Sequence, residues 1–310
     1  MALYVLKRIL LTIPVLFATA LLIFFIFQLI PGDVVQASMT QKLMTLEQQN
    51  QMREALGLNK PVLERAATYA VALLHGDMGR SFRTGQPVLD LLMSQLPYTL
   101  ILITASLFVA VLIGIPLGLA AALKRNSAVD SGAMTLAVLG ASIPQYWLGL
   151  VMILVVAVNL KWLPATGSEG ISTLILPALA LGIAEMAIIA RLTRSEMVEV
   201  LQSDYVRTAE AKGLGRRAVV MGHAFRNSLV PIVTMLGLQV GALLGGAVVI
   251  EVVFARPGLG TVVVQSILKR DIPVIQGGIL LIAAIFVIVN LIVDISYSFL
   301  DPRIRTGEGS

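Results

Sequence analysis

The sequence contains no cysteine, and only two of its 310 residues, His75 and His223, are histidines. The absence of cysteine excludes disulfides, thiolate metal sites and cysteine nucleophiles. A histidine-based metal site has little material, because the two histidines lie far apart in the chain. We therefore expect this chain to bind neither a metal nor a cofactor.

Charge is also scarce, at 13% of the residues, whereas 57% are hydrophobic and the mean hydropathy is +0.89. Soluble domains carry roughly 25% charged residues, so the composition predicts an integral membrane protein in contact with lipid. The net charge of +5 does not indicate a nucleic-acid partner. Lysine and arginine flank the apolar segments, and membrane topology explains them better.

Six segments are long and apolar enough to cross a membrane, which takes ~20 residues for ~30 Å of hydrocarbon. We therefore predict an all-α polytopic fold with six transmembrane helices. The first segment is longer than a signal-peptide core of ~7–15 residues, so we interpret it as a retained anchor. The segments are residues 9–30, 99–122, 134–158, 174–190, 229–252 and 279–300.

Two of these spans have unusual features. The fourth is only marginally apolar, because Glu185 lies near its centre and a charge there costs about 2.5–3.5 kcal/mol. We expect it to lie inside the bundle, with Glu185 facing protein or water. Gly140 and Pro144 are candidates for an interruption of the third span.

The distribution of basic residues predicts that both termini are cytoplasmic. Basic residues are enriched in the short loops on the cytoplasmic side of membrane proteins, and long loops are exempt. One side carries many, namely Lys7, Arg8, Lys124, Arg125, Arg191, Arg194, Arg207, Lys212, Arg216, Arg217, Arg226, Arg303 and Arg305. The other side carries few, namely Lys161, Arg256, Lys269 and Arg270.

Residues 31–98 are expected to form a small helical periplasmic lobe between the first two spans. Thr45–Gln48 matches a capping box, and Gly57 suits the end of that first helix. A second helix is predicted from Pro61 to just before Gly76, with one apolar face. That face consists of Val62, Ala66, Tyr69, Ala70, Leu73 and Leu74. A plain linker is the alternative interpretation.

A polar, basic segment, residues 204–231, separates the fourth and fifth spans. Asp204 is a favourable N-cap for a helix that begins at Tyr205, and Gly213 suits its end. Thr208, Ala209 and Ala211 are small, and would allow a partner's backbone to approach closely. A second helix, 216–226, is expected after a hinge at Gly213–Gly215, with Val219, Val220 and Ala224 on its apolar side. A solvated loop that only satisfies the topology bias is the alternative.

This segment resembles the EAA loop of ABC-importer permeases, in the version of the dipeptide/oligopeptide/nickel branch, where D-Y-V-R-T-A-x-A-K-G-L recurs. The resemblance extends over nearly the whole chain and rests on motifs that occur in the same order. They are Ile30–Asp33, Leu56–Leu58, Gly76–Ser81, Ile143–Gly149, Phe254–Gly260, Arg270–Gly277 and Leu300–Arg305.

The chain also departs from the general pattern of these permeases. Arg207-Thr208-Ala209 stands where most have Glu-Ala-Ala, and the interval from Gly213 to Pro231 is longer. Both features are usual in the peptide branch. Glu210 replaces the Arg or Lys that this branch more often shows, which changes the charge offered to a partner at one position.

The resemblance implies a type I ABC-importer permease subunit, most frequently for di- or oligopeptides, that is itself not an enzyme. Nickel, glutathione or opine-like solutes are alternatives. Expected partners are a second homologous permease, two ATP-binding subunits that carry ATP and Mg, and a periplasmic solute-binding protein. The chain has no G-x-x-x-x-G-K-[ST] loop of its own. The expected location is the bacterial inner membrane.

The resemblance also assigns the organisation of the chain. Residues 1–30 form the cytoplasmic N-terminus and first span, 31–98 the periplasmic lobe, and 99–303 a five-helix core with a coupling loop at 191–228, followed by a cytoplasmic tail at 304–310. The ATPase-coupling residues are expected to be Asp204, Tyr205, Arg207, Thr208, Ala209, Glu210, Ala211, Lys212 and Gly213.

Polar residues within the spans are candidates for the translocation pathway. Asn290, Asp294 and Ser298 recur at helical spacing on one face of the last span, and Glu185 lies in the fourth. Such residues usually face a bundle interior or a wet cavity, and a purely structural polar cluster is the alternative. Gly114-x-x-x-Gly118, Gly241-x-x-x-Gly245 and Gly246 are expected to permit close helix approach.

Two other classes of protein were weighed against this prediction. A membrane enzyme would need titratable groups clustered at one depth, which the separated histidines do not supply. A channel or secondary transporter often shows internal repeats, and we find no repeat between the halves of the chain. Transport by the chain alone, independent of ATP, would support the latter class.

Overall fold

The computed structural model describes residues 2–29 and 59–300, together with the isolated positions Glu47 and Glu54. The predicted capping box at Thr45–Gln48 and the helix that would follow it lie outside these residues. Helix α1 spans Ala2–Leu29, α2 Val62–Leu74 and α3 Val88–Leu123. Within the described ranges the chain is helical apart from turns and one isolated bridge, as predicted.

The remaining helices follow with short connections. Helix α4 spans Ala128–Ser142, α5 Gln145–Asn159, α6 Ser172–Leu201 and α7 Asp204–Ala211. Helix α8 spans Arg216–Val253, α9 Leu259–Lys269 and α10 Ile272–Leu300. In the described ranges, five helices are long and apolar enough to cross a membrane, or six if α4 and α5 count as one broken span.

The third span is interrupted at Pro144, one of the two positions predicted from the sequence. Helices α4 and α5 meet at an angle of 97°, around Ile143 and Pro144. Ile143 is extended, with ψ 125°, because a residue that precedes proline is disfavoured in the helical conformation. Gly140, the other candidate, lies within α4 and does not break it. Its α-carbon faces the side chain of Ile183 on α6.

The chain divides into two compact units, of which one is formed by residues 1–99 and 257–291. In this unit α2 packs on α1, where the Tyr69 ring stacks on Phe24 with centroids 5.4 Å apart. Ala66 is buried, whereas Val62 and Leu74 are exposed. The buried face of α2 is therefore narrower than predicted, because only the middle of this helix contacts the first span.

The same unit contains α9, an element that the sequence analysis did not predict. Leu259 of α9 lies in a buried cluster with Val88 and Leu92 of α3 and Val274 of α10. Helix α3 begins at Val88, well before the predicted window at residue 99. Polar residues such as Asp90 and Ser94 lower the hydropathy of this first stretch without preventing a helix.

The second unit comprises residues 100–256 and 292–310, and α6 is its central helix. The apolar window of α6 is 61% buried, compared with 17–28% for the other unbroken spans. Glu185 on α6 is itself buried. This confirms that the marginal fourth span lies inside protein, where its carboxylate avoids lipid.

Small residues bring α3 close to α6 in this unit. A Cβ atom added at Gly114 would lie 2.8 Å from the Met186 carbonyl oxygen, and one at Gly118 would overlap the Ala190 carbonyl. The predicted close approach at this motif is confirmed. Gly246 of α8 likewise faces Leu181, but Gly245 has no atom within 4 Å of an added Cβ. No helix of this chain approaches Gly245 among the described residues, so close approach at this glycine stays a prediction.

Candidate functional site: the helix between the fourth and fifth spans

The polar segment after the fourth span contains α7 (Asp204–Ala211), which begins one residue earlier than predicted. Ser203, not Asp204, is the N-cap residue, with extended backbone at ψ 152°. The Ser203 hydroxyl donates a hydrogen bond of 2.6 Å to the carbonyl of Val200, at the end of α6. Helix α7 has no side-chain cap at its start.

The end of α7 confirms the predicted role of Gly213. This glycine has φ +82°, a conformation that other residues adopt only with strain. Its N–H donates to the Glu210 carbonyl at 2.9 Å, and the N–H of Leu214 donates to the Ala209 carbonyl at 3.3 Å. This pair of bonds is a Schellman motif. It terminates the helix and turns the chain towards α8.

Helix α7 is amphipathic, with a buried face made of Val206 and Ala209. Both pack against Val219 at the start of α8. The small size of Ala209 therefore allows α7 to lie close to its own chain, rather than leaving room for a partner as the sequence analysis expected. The other predicted coupling residues on α7 and just after it are exposed, namely Asp204, Tyr205, Arg207, Thr208, Glu210, Ala211, Lys212 and Gly213.

The start of α8 differs from the separate second helix that was predicted. Residues Arg216–Ala218 are α-helical, Val219–Ala224 are π-helical, and Phe225–Val253 continue as α-helix through Pro231. The basic segment and the fifth span are therefore one continuous helix. Val219, Val220 and Ala224 are buried, as predicted. Short π-helical stretches inside α-helices are frequent at functional sites.

One hydrogen bond joins α7 to α8, and one buried cluster joins the start of α8 to α3 and α6. The Asn227 amide of α8 donates a hydrogen bond of 2.9 Å to the Tyr205 hydroxyl of α7. Val220 and Ala224 form a buried cluster with Ala122 of α3 and Met197 of α6. Helix α7 therefore contacts α8 directly, and it contacts α6 through Val200, which packs against Val206, Ala209 and Val219.

An ion pair fixes α4 to α6 in the same unit. The Arg194 guanidinium donates two hydrogen bonds to the Asp130 carboxylate, from Nε to Oδ1 at 2.5 Å and from Nη2 to Oδ2 at 2.7 Å. Ser127 is the N-cap residue of α4, and its hydroxyl accepts from the Asp130 N–H. This pair was not predicted from the sequence. The signal that could have indicated it is the cap residue Ser127 three positions before Asp130, in a chain with few charged residues.

The predicted pathway residues have different environments. Glu185 is buried on α6, and its Oε2 atom has no hydrogen-bond partner among the described residues. Gln239 on α8, which the sequence analysis missed, is also buried, and its Nε2 atom is similarly unpartnered within the described ranges. Asn290 is partly buried on α10. The side chains of Asp294 and Ser298 lie outside the described residues.

Residues of the described ranges form no cluster of three or more histidine, aspartate and glutamate side chains that could hold a metal ion. The surface of α7 consists of exposed polar side chains and a helix end. Such an arrangement suits the docking of a protein partner rather than chemistry on a small molecule.

Comparison with known protein families shows which family the chain matches. The family model described as binding-protein-dependent transport system inner membrane component matches residues 114–306. The corresponding N-terminal family model matches residues 1–103. Together the two models cover most of the chain, including both units of the fold.

Curated relatives match over nearly their full length. The dipeptide transport system permease protein DppB of Alkalihalophilus pseudofirmus is 40% identical, over 97% of this chain and 99% of its own. The di/tripeptide transport system permease protein DppB of Pseudomonas aeruginosa is 39% identical, over 97% and 98%. DppB of Escherichia coli K12 is 37% identical, with the same coverage of 97% and 98%.

A solved structure of similar fold is the inward-facing MetNI methionine ABC transporter, in its CY5 native crystal form. It aligns with a TM-score of 0.59 and 18% identity over 68% of this chain and 96% of that chain. At this identity the similarity concerns the fold, which is that of type I ABC-importer permeases. With the apolar helices described above, the family establishes a multi-pass protein of the bacterial inner membrane.

Proposed function

Since the chain belongs to the family of binding-protein-dependent transport system inner membrane components, we propose that it is the permease subunit of an ATP-driven importer of di- and oligopeptides. Three relatives of 37–40% identity bear names of dipeptide or di/tripeptide permeases. The chain spans nearly their full length, which supports the same substrate class. It would form half of the translocation pathway, together with a second homologous permease.

The observation that carries this proposal is the construction of α7. Its buried face rests on α8 through Val206 and Ala209, while its polar face is exposed. A helix held in this way on one side offers its other side to a protein on the cytoplasmic surface. We assign that side, apart from Glu210, which lines a cavity beside α7, to the groove of an ATP-binding subunit. That subunit binds ATP and Mg and hydrolyses the nucleotide.

The topology follows from this assignment. Docking to cytoplasmic ATP-binding subunits requires α7 to lie in the cytoplasm, and an even number of spans then leaves both termini on that side. The distribution of basic residues supports the same orientation. Residues 31–98 would face the periplasm, where the solute-binding protein delivers its peptide.

Coupling would proceed through the contacts around α7. Closure of the two ATP-binding subunits on ATP moves α7, and Ala209, Val219 and the Asn227–Tyr205 hydrogen bond transmit that movement to α6 and α8. The helices of the membrane region have two arrangements, open to one side or the other, and the state of the ATP-binding subunits biases the equilibrium between them.

Polar residues in the spans are the candidates for contact with the peptide. We assign this role to Glu185, Asn290, Asp294 and Ser298, because polar groups within membranes usually face a bundle interior or a wet cavity. A peptide carries an ammonium group and several amides that need hydrogen-bond partners as it crosses. Carboxylate, amide and hydroxyl side chains supply them.

The docking role can be tested by purifying the tagged chain from its host and measuring which subunits accompany it. Thr208→Trp and Ala211→Trp add bulk to the exposed side of α7, and Ala218→Trp adds the same bulk at an exposed position on α8. We expect the first two variants to lose the ATP-binding subunits and peptide uptake while still inserting into the membrane. The Ala218 variant should retain both. Retention of the ATP-binding subunits by both α7 variants would contradict the proposal.

The substrate can be tested separately by uptake in a strain that lacks this chain. Labelled dipeptides and longer peptides should enter only when the chain is restored, and uptake should stop when ATP is depleted. Restored uptake of nickel, glutathione or an opine-like compound without peptide uptake would assign the same machinery to another solute. Uptake that persists without ATP would instead indicate a secondary transporter.

A further inference from the structure

A cavity of about 440 Å³ lies behind the end of α7. It is bounded where three membrane helices end or begin together, at Leu123 of α3, Leu201 of α6 and Arg216 of α8. Because α3, α6 and α8 are candidate membrane spans that end or begin here, this level corresponds to the expected surface of the membrane. The lining residues are Ala122, Leu123, Leu201, Glu210, Leu214, Arg216 and Val220.

The cavity combines one acid, one base and an apolar wall of five residues, and most of its accessible surface is polar. Glu210 on α7 and Arg216 on α8 stand on opposite sides of the Gly213 turn, and the remaining lining residues are all apolar. Both side chains are exposed, and neither forms an ion pair with any residue that the structure describes. Two opposite charges at one cavity, not paired with each other, suit a ligand that carries both signs.

Glu210 is unexpected on other grounds as well. It is the position at which the chain departs from the basic residue usual in the permeases it resembles. It is also an acid in a segment otherwise rich in arginine and lysine, between Arg207 and Arg217. A carboxylate here reduces the attraction of the surface for anions in general. It therefore favours a ligand whose anionic group is accompanied by a cationic one.

We propose that this cavity binds the headgroup of an aminophospholipid, phosphatidylethanolamine, from the cytoplasmic leaflet. The phosphate accepts charge-assisted hydrogen bonds from the Arg216 guanidinium, which suits phosphate geometry. The primary ammonium donates to the Glu210 carboxylate. The glycerol and the first acyl carbons lie against Leu123, Leu201 and Val220.

The size of the cavity and the chemistry of rival lipids make this choice specific. The volume corresponds to about 15 water molecules at roughly 30 Å³ each, which is ample for a phosphoethanolamine group. The trimethylammonium of phosphatidylcholine has no N–H to donate to Glu210. Phosphatidylglycerol has no cation, so the Glu210 carboxylate repels its charge instead of pairing with it.

A lipid in this position would contact both α7 and α8 across the Gly213 turn. It would therefore join the end of the proposed coupling helix to the fifth span, in addition to the Asn227–Tyr205 hydrogen bond. This inference concerns a lipid site and does not depend on which solute the importer carries.

Native mass spectrometry of the detergent-purified complex, with its ATP-binding subunits, can measure the binding directly. Phosphatidylethanolamine, phosphatidylcholine and phosphatidylglycerol with identical acyl chains are titrated in turn. We expect the complex to bind phosphatidylethanolamine about tenfold more tightly than phosphatidylcholine, since one charge-assisted hydrogen bond separates them. Glu210→Gln should abolish this preference and strengthen the binding of phosphatidylglycerol. Arg216→Gln should weaken the binding of all three lipids.

Matched variants show whether the effect belongs to the cavity. Glu199→Gln and Arg217→Gln change the same charges at exposed positions that do not line it, and both should bind lipids as the unaltered complex does. All four residues are exposed, so size-exclusion chromatography should show intact, folded variants. If Arg217→Gln weakened binding as much as Arg216→Gln did, general surface charge would be responsible and the proposal would be wrong.

Two further measurements separate the lipid from other occupants. Soluble glycerophosphoethanolamine should compete only weakly, because it lacks the acyl chains that the apolar wall would contact; full competition would indicate a site for a free phosphoethanolamine compound instead. Phosphatidylethanolamine bound by the permease alone but absent from the complete complex would mean that an ATP-binding subunit fills the cavity. Either result would overturn the proposal.

Discussion

Asp130 and Arg194, 64 residues apart in sequence, form a two-point ion pair in which Asp130 is buried and Arg194 partly exposed. The Asp130 carboxylate also accepts a hydrogen bond of 3.0 Å from the Asn126 N–H. The turn between α3 and α4 is thereby joined to α6, two turns before the segment that leads into α7.

Loss of this pair should destabilise the protein. Asp130→Asn leaves Arg194 without its partner, and removing one member of a buried pair costs about 3–5 kcal/mol; we expect the low end because Arg194 is partly exposed. Arg194→Lys should cost less, since lysine retains the charge but cannot make two parallel bonds. Thermal unfolding followed by tryptophan fluorescence measures both, with Arg191→Lys on the same helix as the control. An unfolding temperature of Asp130→Asn equal to that of the control would contradict this role.

Substitution of Gly118, at the contact between α3 and α6, should lower the stability of the protein more than substitution of Gly245. Gly118→Ala should destabilise the protein by about 1–3 kcal/mol, because the added methyl group would overlap the Ala190 carbonyl and lie 2.7 Å from Thr193 Cβ. Gly245→Ala meets no atom within 4 Å and should be neutral or slightly stabilising. Thermal unfolding of the purified chain compares the two. Equal effects would show that helix flexibility, and not the contact, determines the stability.

Gly213 and Gly215 should respond differently to the same substitution. Gly213 has φ +82°, whereas Gly215 has φ −60° and open space around it. A left-handed conformation costs a residue with a Cβ atom roughly 1–2 kcal/mol, so Gly213→Ala should distort the end of α7 and reduce peptide uptake. Gly215→Ala should leave uptake unchanged. Similar uptake by the two variants would mean that the turn is not required for coupling.

Asp271 should control the accessibility of the loop before α3. Its carboxylate accepts hydrogen bonds from the Ser81 hydroxyl at 2.5 Å and from the Phe82 N–H at 3.0 Å. Asp271→Ala removes both bonds, and hydrogen bonds to a charged group contribute about 1.5–3 kcal/mol. We expect trypsin to cleave at Arg80 or Arg83 at least tenfold faster. Asp90→Ala, at an exposed position on α3, should show the original rate.

Tyr69 predicts a loss of stability at alkaline pH. This residue lies on α2, outside the membrane-spanning helices, and burial raises the pKa of its phenol from 10.0 to about 12. The folded chain therefore keeps a proton that the unfolded chain loses. Stability is unaffected below about pH 10 and falls as the pH rises from about 10 to about 12.

Comparison with Tyr69→Phe isolates this effect from other groups that titrate in the same range. The phenylalanine variant should lose less stability between about pH 9 and about pH 11. It should also be at least as stable at neutral pH, because the Tyr69 hydroxyl has no hydrogen-bond partner among the described residues. Tyr146→Phe, at an exposed position, is the control. Parallel pH curves for Tyr69→Phe and the unaltered protein would refute the burial argument.

The membrane spans and the C-terminal end of α7 could be predicted because they depend on local properties. Twenty apolar residues in succession require a helix in a membrane, whatever surrounds them. The role of Gly213 at the end of α7 could be predicted in the same way, since glycine is the residue that best tolerates the left-handed conformation after a helix. Pro144 forced an extended residue before it and so broke the third span.

The features that the sequence did not reveal depend on tertiary contacts. Helix α7 begins one residue earlier than predicted, after Ser203, whose hydroxyl donates to the Val200 carbonyl of α6. Ala209 lies on the buried face of α7 because it packs against Val219, ten residues later in the chain, and its own small size did not indicate this. Similarly, the partnership of Asp130 with Arg194 requires α4 to lie on α6, which no local pattern specifies.

The break in the third span has a consequence for biogenesis. Helix α4 has 15 residues and so a length of about 22 Å, which is too short to cross ~30 Å of hydrocarbon, and α5 is similarly short. Both contact α6, which is synthesised after them. The two half-helices therefore cannot settle individually as they leave the ribosome, and their final placement must wait until α6 has been released beside them.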